Sequence, residues 1–132
     1  MKDTGTCEIL VNDKAQRKEY NKLSKIFRDI IKPAGADGKR KYTDKGLLLE
    51  NLLREAAFVR CVLSEARAKI EEEGIETVTV NASQKFKKVT PAVQVYSDYL
   101  KTYTQLINSL VTYIPEKQER KQSRLAALMM DD

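Results

Sequence analysis

Apolar residues recur at helical spacing in three stretches of the chain. In the first stretch, one helix face collects Tyr20, Leu23, Ile26, Phe27, Ile30 and Ile31. Asn12 or Asp13 can cap the start of this helix. Pro33 ends it, because a proline ring disfavours the helical conformation of the preceding residue. The pattern predicts a helix over residues 12–32, followed by a loop.

The other two stretches repeat apolar residues at alternating steps of three and four, the heptad pattern of helices that pack side by side. In one stretch the row is Leu49, Leu52, Ala56, Val59, Leu63, Ala66 and Ile70. In the other it is Val93, Tyr96, Leu100, Tyr103, Ile107, Leu110 and Ile114. Thr43 and Thr90 stand where N-caps are expected, and Gly74 stands at a C-terminus. We predict helices over 43–73 and 91–114, folded back as an antiparallel hairpin.

Both heptad helices carry apolar surface beyond these rows. On the first it consists of Leu48, Leu53, Ala57 and Val62, and on the second of Tyr99, Leu106 and Tyr113. Three helices of one chain cover such a surface incompletely. We therefore expect self-association.

Residues 75–89 break the helical pattern. Thr77 to Val80 alternate polar and apolar, and Phe86 follows on the returning side, which predicts a small β-hairpin. A loop of even length places Val80 opposite Lys85, whereas an odd loop places Val80 opposite Phe86. We favour the odd loop because it pairs two apolar side chains.

The predicted fold is mainly α: one domain, with an N-terminal helix, a long antiparallel helical hairpin and a β-hairpin insert between its two helices. Residues 115–132 are predicted to form a mobile tail. No apolar run approaches the roughly 18 residues of a membrane span. The first residues form no hydrophobic leader, so we expect a cytoplasmic protein without a membrane partner.

The net charge of +5 is concentrated in residues 1–45, which hold twelve Lys or Arg and seven Asp or Glu. This asymmetry indicates an anionic partner such as nucleic acid, although a solvated basic helix face explains it equally well. The charge-based DNA-binding candidates are Lys14, Arg17, Lys18, Lys22, Lys25, Lys39, Arg40 and Lys41. A second set in the tail comprises Lys117, Arg120, Lys121 and Arg124.

Motifs of catalysis are missing from the sequence. The chain has no histidine, and Cys7 and Cys61 are too far apart for a CxxC site. No GxGxxG, GxxxxGK[ST] or GxSxG motif occurs. We expect no catalytic residue, no metal site and no cofactor, and hence no enzyme.

Residues 20–115 resemble a known family. YNKLSKIF at 20–27, then the run from LLLENLLREAAF to YLKTYTQLINSL, are similar to the small subunits of phage terminases, in the tailed-phage and prophage branch. The landmarks of the resemblance are Gly74, Asn81, Lys88, Pro91, Ala92, Tyr96 and Leu110. Ala82 departs from the family, which usually has Gly there, and this argues against a tight Asn-Gly turn.

The resemblance implies a non-catalytic packaging protein. Such subunits form ring-like homo-oligomers in the bacterial host, bind double-stranded viral DNA, and pass it to a terminase large subunit that has the ATPase and nuclease. The DNA-binding candidates above rest on charge alone. The alternative is a helical protein–protein adaptor, or a general DNA-binding protein without a packaging role.

Overall fold

Helices make up most of the structure. The computed structural model describes residues 11–81, 84–114 and 119–130, without the side chains of 77–81, 84–87, 119 and 120. Within these residues the elements are α1 (Asp13–Ile31), α2 (Asp44–Glu73), β1 (Glu76–Asn81), β2 (Gln84–Val89), α3 (Pro91–Thr112) and α4 (Glu119–Met130). The predicted mainly α fold is confirmed.

The ends of α1 and α2 follow from capping residues. The side-chain oxygen of Asn12 accepts a hydrogen bond of 2.7 Å from the backbone N–H of Lys14. Thr43 caps α2 in the same way, its Oγ1 accepting from the N–H of Gly46 at 2.9 Å. Each cap satisfies an N–H that has no partner within its own helix. Both helices consequently begin within one residue of the predicted positions.

Helix α2 is the centre of the fold, with α1 and α3 both packed against it. Ile31 at the end of α1 meets Gly46 near the start of α2, and Tyr20 lies beside Arg54 further along, so α1 and α2 run antiparallel. The core they enclose consists of Leu23, Ile26, Phe27, Ile31, Leu49, Leu53, Ala56, Val59, Leu63, Tyr103, Ile107, Leu110, Ile114 and Leu125.

One heptad position differs from the prediction, since Leu100 on α3 is 42% exposed. Leu48 lies outside the heptad row of α2, in the apolar surface that we expect one chain to cover incompletely, and it is 62% exposed. Helices α2 and α3 pack against each other on one side. The apolar pattern extends further around each helix than this contact does. Apolar surface of both helices thus remains exposed in the single chain, as the sequence predicts.

The β-hairpin has the even register, and the prediction of an odd loop is wrong. Thr79 pairs with Phe86, Val80 with Lys85, and Asn81 with Gln84. Apolar pairing dictates register where one face of a ribbon is buried. At the described base of this ribbon, Glu76, Lys88 and Val89 are all exposed, so burial at the base does not select a register. Ala82 lies outside the described residues.

Thr90 joins the hairpin base to the helices. It is fully buried, its Oγ1 donates to the carbonyl of Gly74, and its N–H donates to the carbonyl of Ile75 at 2.8 Å. Its side chain makes no capping bond to α3, contrary to the role that its position suggests. Gly74 has φ +82°, a conformation that favours glycine. Together these contacts fix the turn from α2 into β1 and from β2 into α3.

Residues 119–130 are helical, which corrects the prediction of a mobile tail for this part of the chain. Helix α4 packs on α1 through Leu125, which is buried in the core, and through Leu128 at its edge. The spacing of Leu125 and Leu128 is helical, but twelve residues are too short for a stable helix in isolation. The contact with α1 supplies the missing stabilisation.

We predict that Gly46→Ala destabilises the protein. An added Cβ would stand 2.1 Å from the backbone oxygen of Ile31, which must then move. We expect a loss of about 1–3 kcal/mol in the free energy of unfolding, typical of overpacking, measured by urea denaturation. Asn51→Ala is the control, since Asn51 is exposed in the same helix. Equal stability of the wild type and Gly46→Ala would contradict the close approach of α1 and α2.

Candidate nucleic-acid interface

The outward face of α1 carries a row of polar residues that is basic at four of five positions. Lys14, Lys18, Asn21, Lys25 and Arg28 follow one another at steps of four, three, four and three, which keeps them on one helix face. All five are exposed. The face points outward because Leu23, Phe27 and the neighbouring apolar residues turn the opposite side of α1 onto α2. We call these five residues the basic row.

The cations of the basic row are not engaged within the described part of the fold. Lys14, Lys18, Lys25 and Arg28 form no ion pair with another described residue. Of the carboxylates of α1, Asp29 borders the row, four residues after Lys25. Glu19 contacts Lys22 at 3.6 Å, and Asp29 is neutralised from two sides. The row is therefore free to meet an external anion.

A groove between α1 and α4 extends the basic surface. It is lined by Lys22, Lys25 and Arg124, with the apolar side chains of Ile26, Ala127 and Leu128 among them. The sequence predicts two separate sets of DNA contacts, in the first helix and in the tail. The docking of α4 on α1 brings members of both sets together in this groove.

Asp29 of α1 holds two of the sequence-predicted cations in structural contacts. It accepts a 2.7 Å hydrogen bond from Arg40 Nη1, and its other oxygen lies 3.4 Å from Lys121 Nζ. Lys121 Nζ also donates to the backbone oxygen of Ile26 at 2.9 Å, and the side chain is only 13% exposed. The hydrogen bond from Arg40, and then the charge of Lys121, hold the pKa of Asp29 below its usual value. Arg40 and Lys121 thus fasten the interhelical loop and α4 to α1.

Lys39 and Lys41 are exposed on the loop between α1 and α2. The loop is ordered by a bridge between Ala34 and Arg40, by the turn at Gly38 with φ +76°, and by Lys32, whose Nζ lies 4.1 Å from the ring centroid of Tyr42. The two lysines stand beyond the C-terminal end of the basic row. They can extend a contact made by α1 but do not belong to its face.

The remaining candidates are placed as follows. Arg17 is exposed at the edge of α1 that faces α2 and lines a second groove with Tyr20 and Arg54. Arg54 lies over the ring of Tyr20, at 5.7 Å, and forms a 2.8 Å ion pair with Glu50. Its hydrogen bond lowers the pKa of Glu50. Arg120 belongs to α4 without a described side chain, and Lys117 lies outside the described residues.

Arg28 was missed by the reasoning from sequence. It is exposed and continues the basic row by one further step of three after Lys25. Counting in steps of three and four locates the apolar faces of the helices. Applied to the charged residues of α1, the same count places Arg28 on the face of the basic row. Net charge by segment, in contrast, carries no information about which lysines share a face.

The structure offers no site for metal-dependent chemistry in the residues that it describes. Among these residues no three His, Cys, Asp or Glu side chains come together in a way that could hold a metal ion. Cys61 is buried, and burial raises the pKa of its thiol, which suppresses the reactive thiolate. No helix in this part of the chain is long and apolar enough to cross a membrane.

Comparison with protein-family models, with curated proteins and with solved structures gives no match for this chain.

We predict that Asp29→Asn lowers stability at neutral pH and has no effect in acid. Because the pKa of Asp29 is lowered in the folded protein, its contribution is present above the unfolded pKa, about 3.9, and is lost as the pH falls through the folded value. The loss at neutral pH should stay below about 1 kcal/mol, because the pair is exposed. Amide hydrogen exchange in α4 should also accelerate.

Asp98→Asn is the control for this prediction, since Asp98 is an exposed carboxylate on α3 that contacts Gln94 rather than a cation. Urea unfolding of both variants at neutral pH and near pH 2 measures the effect. An unchanged exchange rate in α4 with Asp29→Asn would show that apolar packing alone holds α4 on α1.

Proposed function

We propose that the protein is a non-catalytic DNA-packaging component of a phage or prophage. In this proposal it binds double-stranded viral DNA in the bacterial cytoplasm as a ring-like homo-oligomer. It recruits or regulates a terminase large subunit, which supplies the ATPase and nuclease. The resemblance of residues 20–115 to terminase small subunits supports the packaging role.

The observation that carries DNA binding is the basic row on α1. A solvated helix usually mixes charges of both signs, whereas the four charged positions of this row are all cations and are free of described ion pairs. The row spans about 21 Å from Lys14 to Arg28 at 1.5 Å per residue, and duplex DNA carries about one charge per 1.7 Å of its axis. Arg124, distant in sequence, adds a further cation beside Lys22 and Lys25.

A protein–protein adaptor is the competing function. An adaptor that docks through an apolar surface gains nothing from a predominantly cationic helix face. The outward face of α1 lacks apolar residues, because its apolar positions are used against α2 and α4. The composition of this face therefore favours DNA binding over an adaptor that docks through α1.

We predict salt-dependent binding to duplex DNA. If the four cations of the basic row and Arg124 each neutralise one phosphate, the plot of log K against log salt concentration has a slope of about −4.5. In the double variant Lys18→Glu/Lys25→Glu the slope should lose about two and the affinity at low salt should fall on the order of 100-fold. Fluorescence anisotropy with a labelled duplex measures both.

The matched control changes the same charge elsewhere. Lys69→Glu/Lys101→Glu alters lysines of α2 and α3, away from α1, and should keep most of the affinity. Thermal melts of both double variants check that the fold persists. Equal loss in the two variants would mean that only net charge matters, and no binding by the wild type at low salt would favour the adaptor.

We also predict self-association through exposed apolar residues of the helical hairpin. Leu47 and Phe58 lie eleven residues apart on one face of α2, and Leu100 and Val111 repeat this spacing on α3; all four are at least 37% exposed. Light scattering across micromolar concentrations should show an oligomer for the wild type. Leu47→Glu/Phe58→Glu should shift it toward the monomer, because a charge in an apolar contact is costly to bury.

Ser64→Glu/Gln105→Glu is the control for this experiment, as both positions are exposed and polar. A wild type that stays monomeric at every concentration would rule out a homo-oligomer formed without a partner.

A further inference from the structure

The centre of the basic row is an amide. Asn21 has two cations of the row on each side of it along α1, and it is exposed. Its side chain forms no hydrogen bond with any residue that the structure describes. Its backbone oxygen accepts from Ser24 Oγ at 3.1 Å. The amide group is thus available at the middle of a surface that is otherwise cationic.

The side chain of Asn21 differs from those of the neighbouring lysines in the part of a binding partner that it can contact. Lys18 and Lys25 stand about 4.5 and 6 Å from Asn21 along the helix axis, and their long side chains can bend toward phosphates on either side. The Asn side chain is short, so at this position the helix backbone can approach a binding partner closely. A helix with a diameter of about 10–12 Å fits the major groove, which is about 12 Å wide.

The chemistry of the amide matches one base edge. A lysine that meets a phosphate carries no sequence information, because every nucleotide has the same phosphate. An Asn side chain offers an NH2 donor group and a carbonyl acceptor in one plane, and adenine presents an N7 acceptor beside an N6 donor in the major groove.

The other uncharged polar residues of α1 are less suited to this role. The hydroxyl of Ser24 already donates to the carbonyl of Asn21. Gln16 is half-buried and lines the groove between α1 and α2 with Tyr20 and Arg54. Asn12 caps the start of α1. Asn21 is left as the amide that faces outward.

We propose that α1 enters the major groove of duplex DNA and that Asn21 reads an adenine there, while the flanking cations bind phosphates. This inference rests on the proposed function, since it names the base contact of the same surface. It divides the basic row into one residue that gives sequence preference and four that give affinity.

The test begins with selection of preferred sequences from a pool of randomised duplexes by the wild-type protein. Anisotropy then compares the selected duplex with a scrambled one. We expect a preference on the order of 5- to 100-fold, as one bidentate base contact provides. Asn21→Ala should bring the selected duplex down to the scrambled one without changing the salt slope, and Ser24→Ala is the neighbouring control.

Replacing the selected adenine by 7-deazaadenine removes its N7 acceptor and leaves the phosphates unchanged. We expect this duplex to bind the wild type more weakly and to bind Asn21→Ala as well as the unmodified duplex does. Loss of affinity with both proteins would overturn the assignment of Asn21 to that adenine.

The outcomes separate this inference from the proposed function. Binding by the wild type without any sequence preference overturns the inference and leaves salt-dependent DNA binding in place. A preference that Asn21→Ala retains overturns the inference as well. Failure of the wild type to bind any duplex at low salt overturns both.

Discussion

The close approach of α1 and α2 at Gly46 determines how the rest of the molecule is arranged. A Cβ at this position would collide with the backbone oxygen of Ile31, so the two helices can meet here only because the residue is glycine. From this crossing the apolar side of α1 lies along α2. The opposite side of α1 must then face solvent, and its composition can serve a purpose other than packing.

The placement of Asp29 completes the separation of charges on α1. A lone carboxylate beside Lys25 and Arg28 would weaken the attraction of this surface for an anion. Arg40 and Lys121 neutralise it, and each belongs to a segment that they thereby hold on α1. Arg40 and Lys121 thus stabilise the fold, whereas the four cations of the basic row remain available to a ligand. Counting lysines along the sequence cannot make this distinction, because both kinds have the same charge.

Much of the fold follows from periodicity, and the exceptions have physical causes. Capping residues and prolines predict the ends of α1 and α2 because these signals act locally. The register of the β-hairpin is mispredicted because apolar pairing is a tertiary effect, and the exposed ribbon base offers nothing to bury. Helix α4 escapes prediction because its contact with α1 depends on Leu125 meeting residues about a hundred positions earlier in the chain.

The candidate site, like the fold, is predictable from the sequence only where it depends on local spacing. Lys14, Lys18 and Lys25 can be placed on one face from their spacing alone, as can Arg28. The groove that adds Arg124 is not predictable, because it exists only once α4 is docked. Neither is the engagement of Arg40 and Lys121, which requires knowing that the loop and the first turn of α4 both lie beside Asp29. Local spacing thus locates the row, and tertiary contacts decide which other cations join it.

The proposed self-association and the proposed DNA binding would use different helices. The exposed apolar residues of the hairpin belong to α2 and α3, whereas the basic row belongs to α1. An oligomer joined through α2 and α3 would repeat the basic row once per subunit without covering it. Several rows held at fixed spacing would bind one duplex more tightly than a single row, because each later contact forms at a high effective concentration. In the proposed assembly a modest affinity per subunit would then be sufficient, because each subunit contributes the four cations of the basic row together with Arg124.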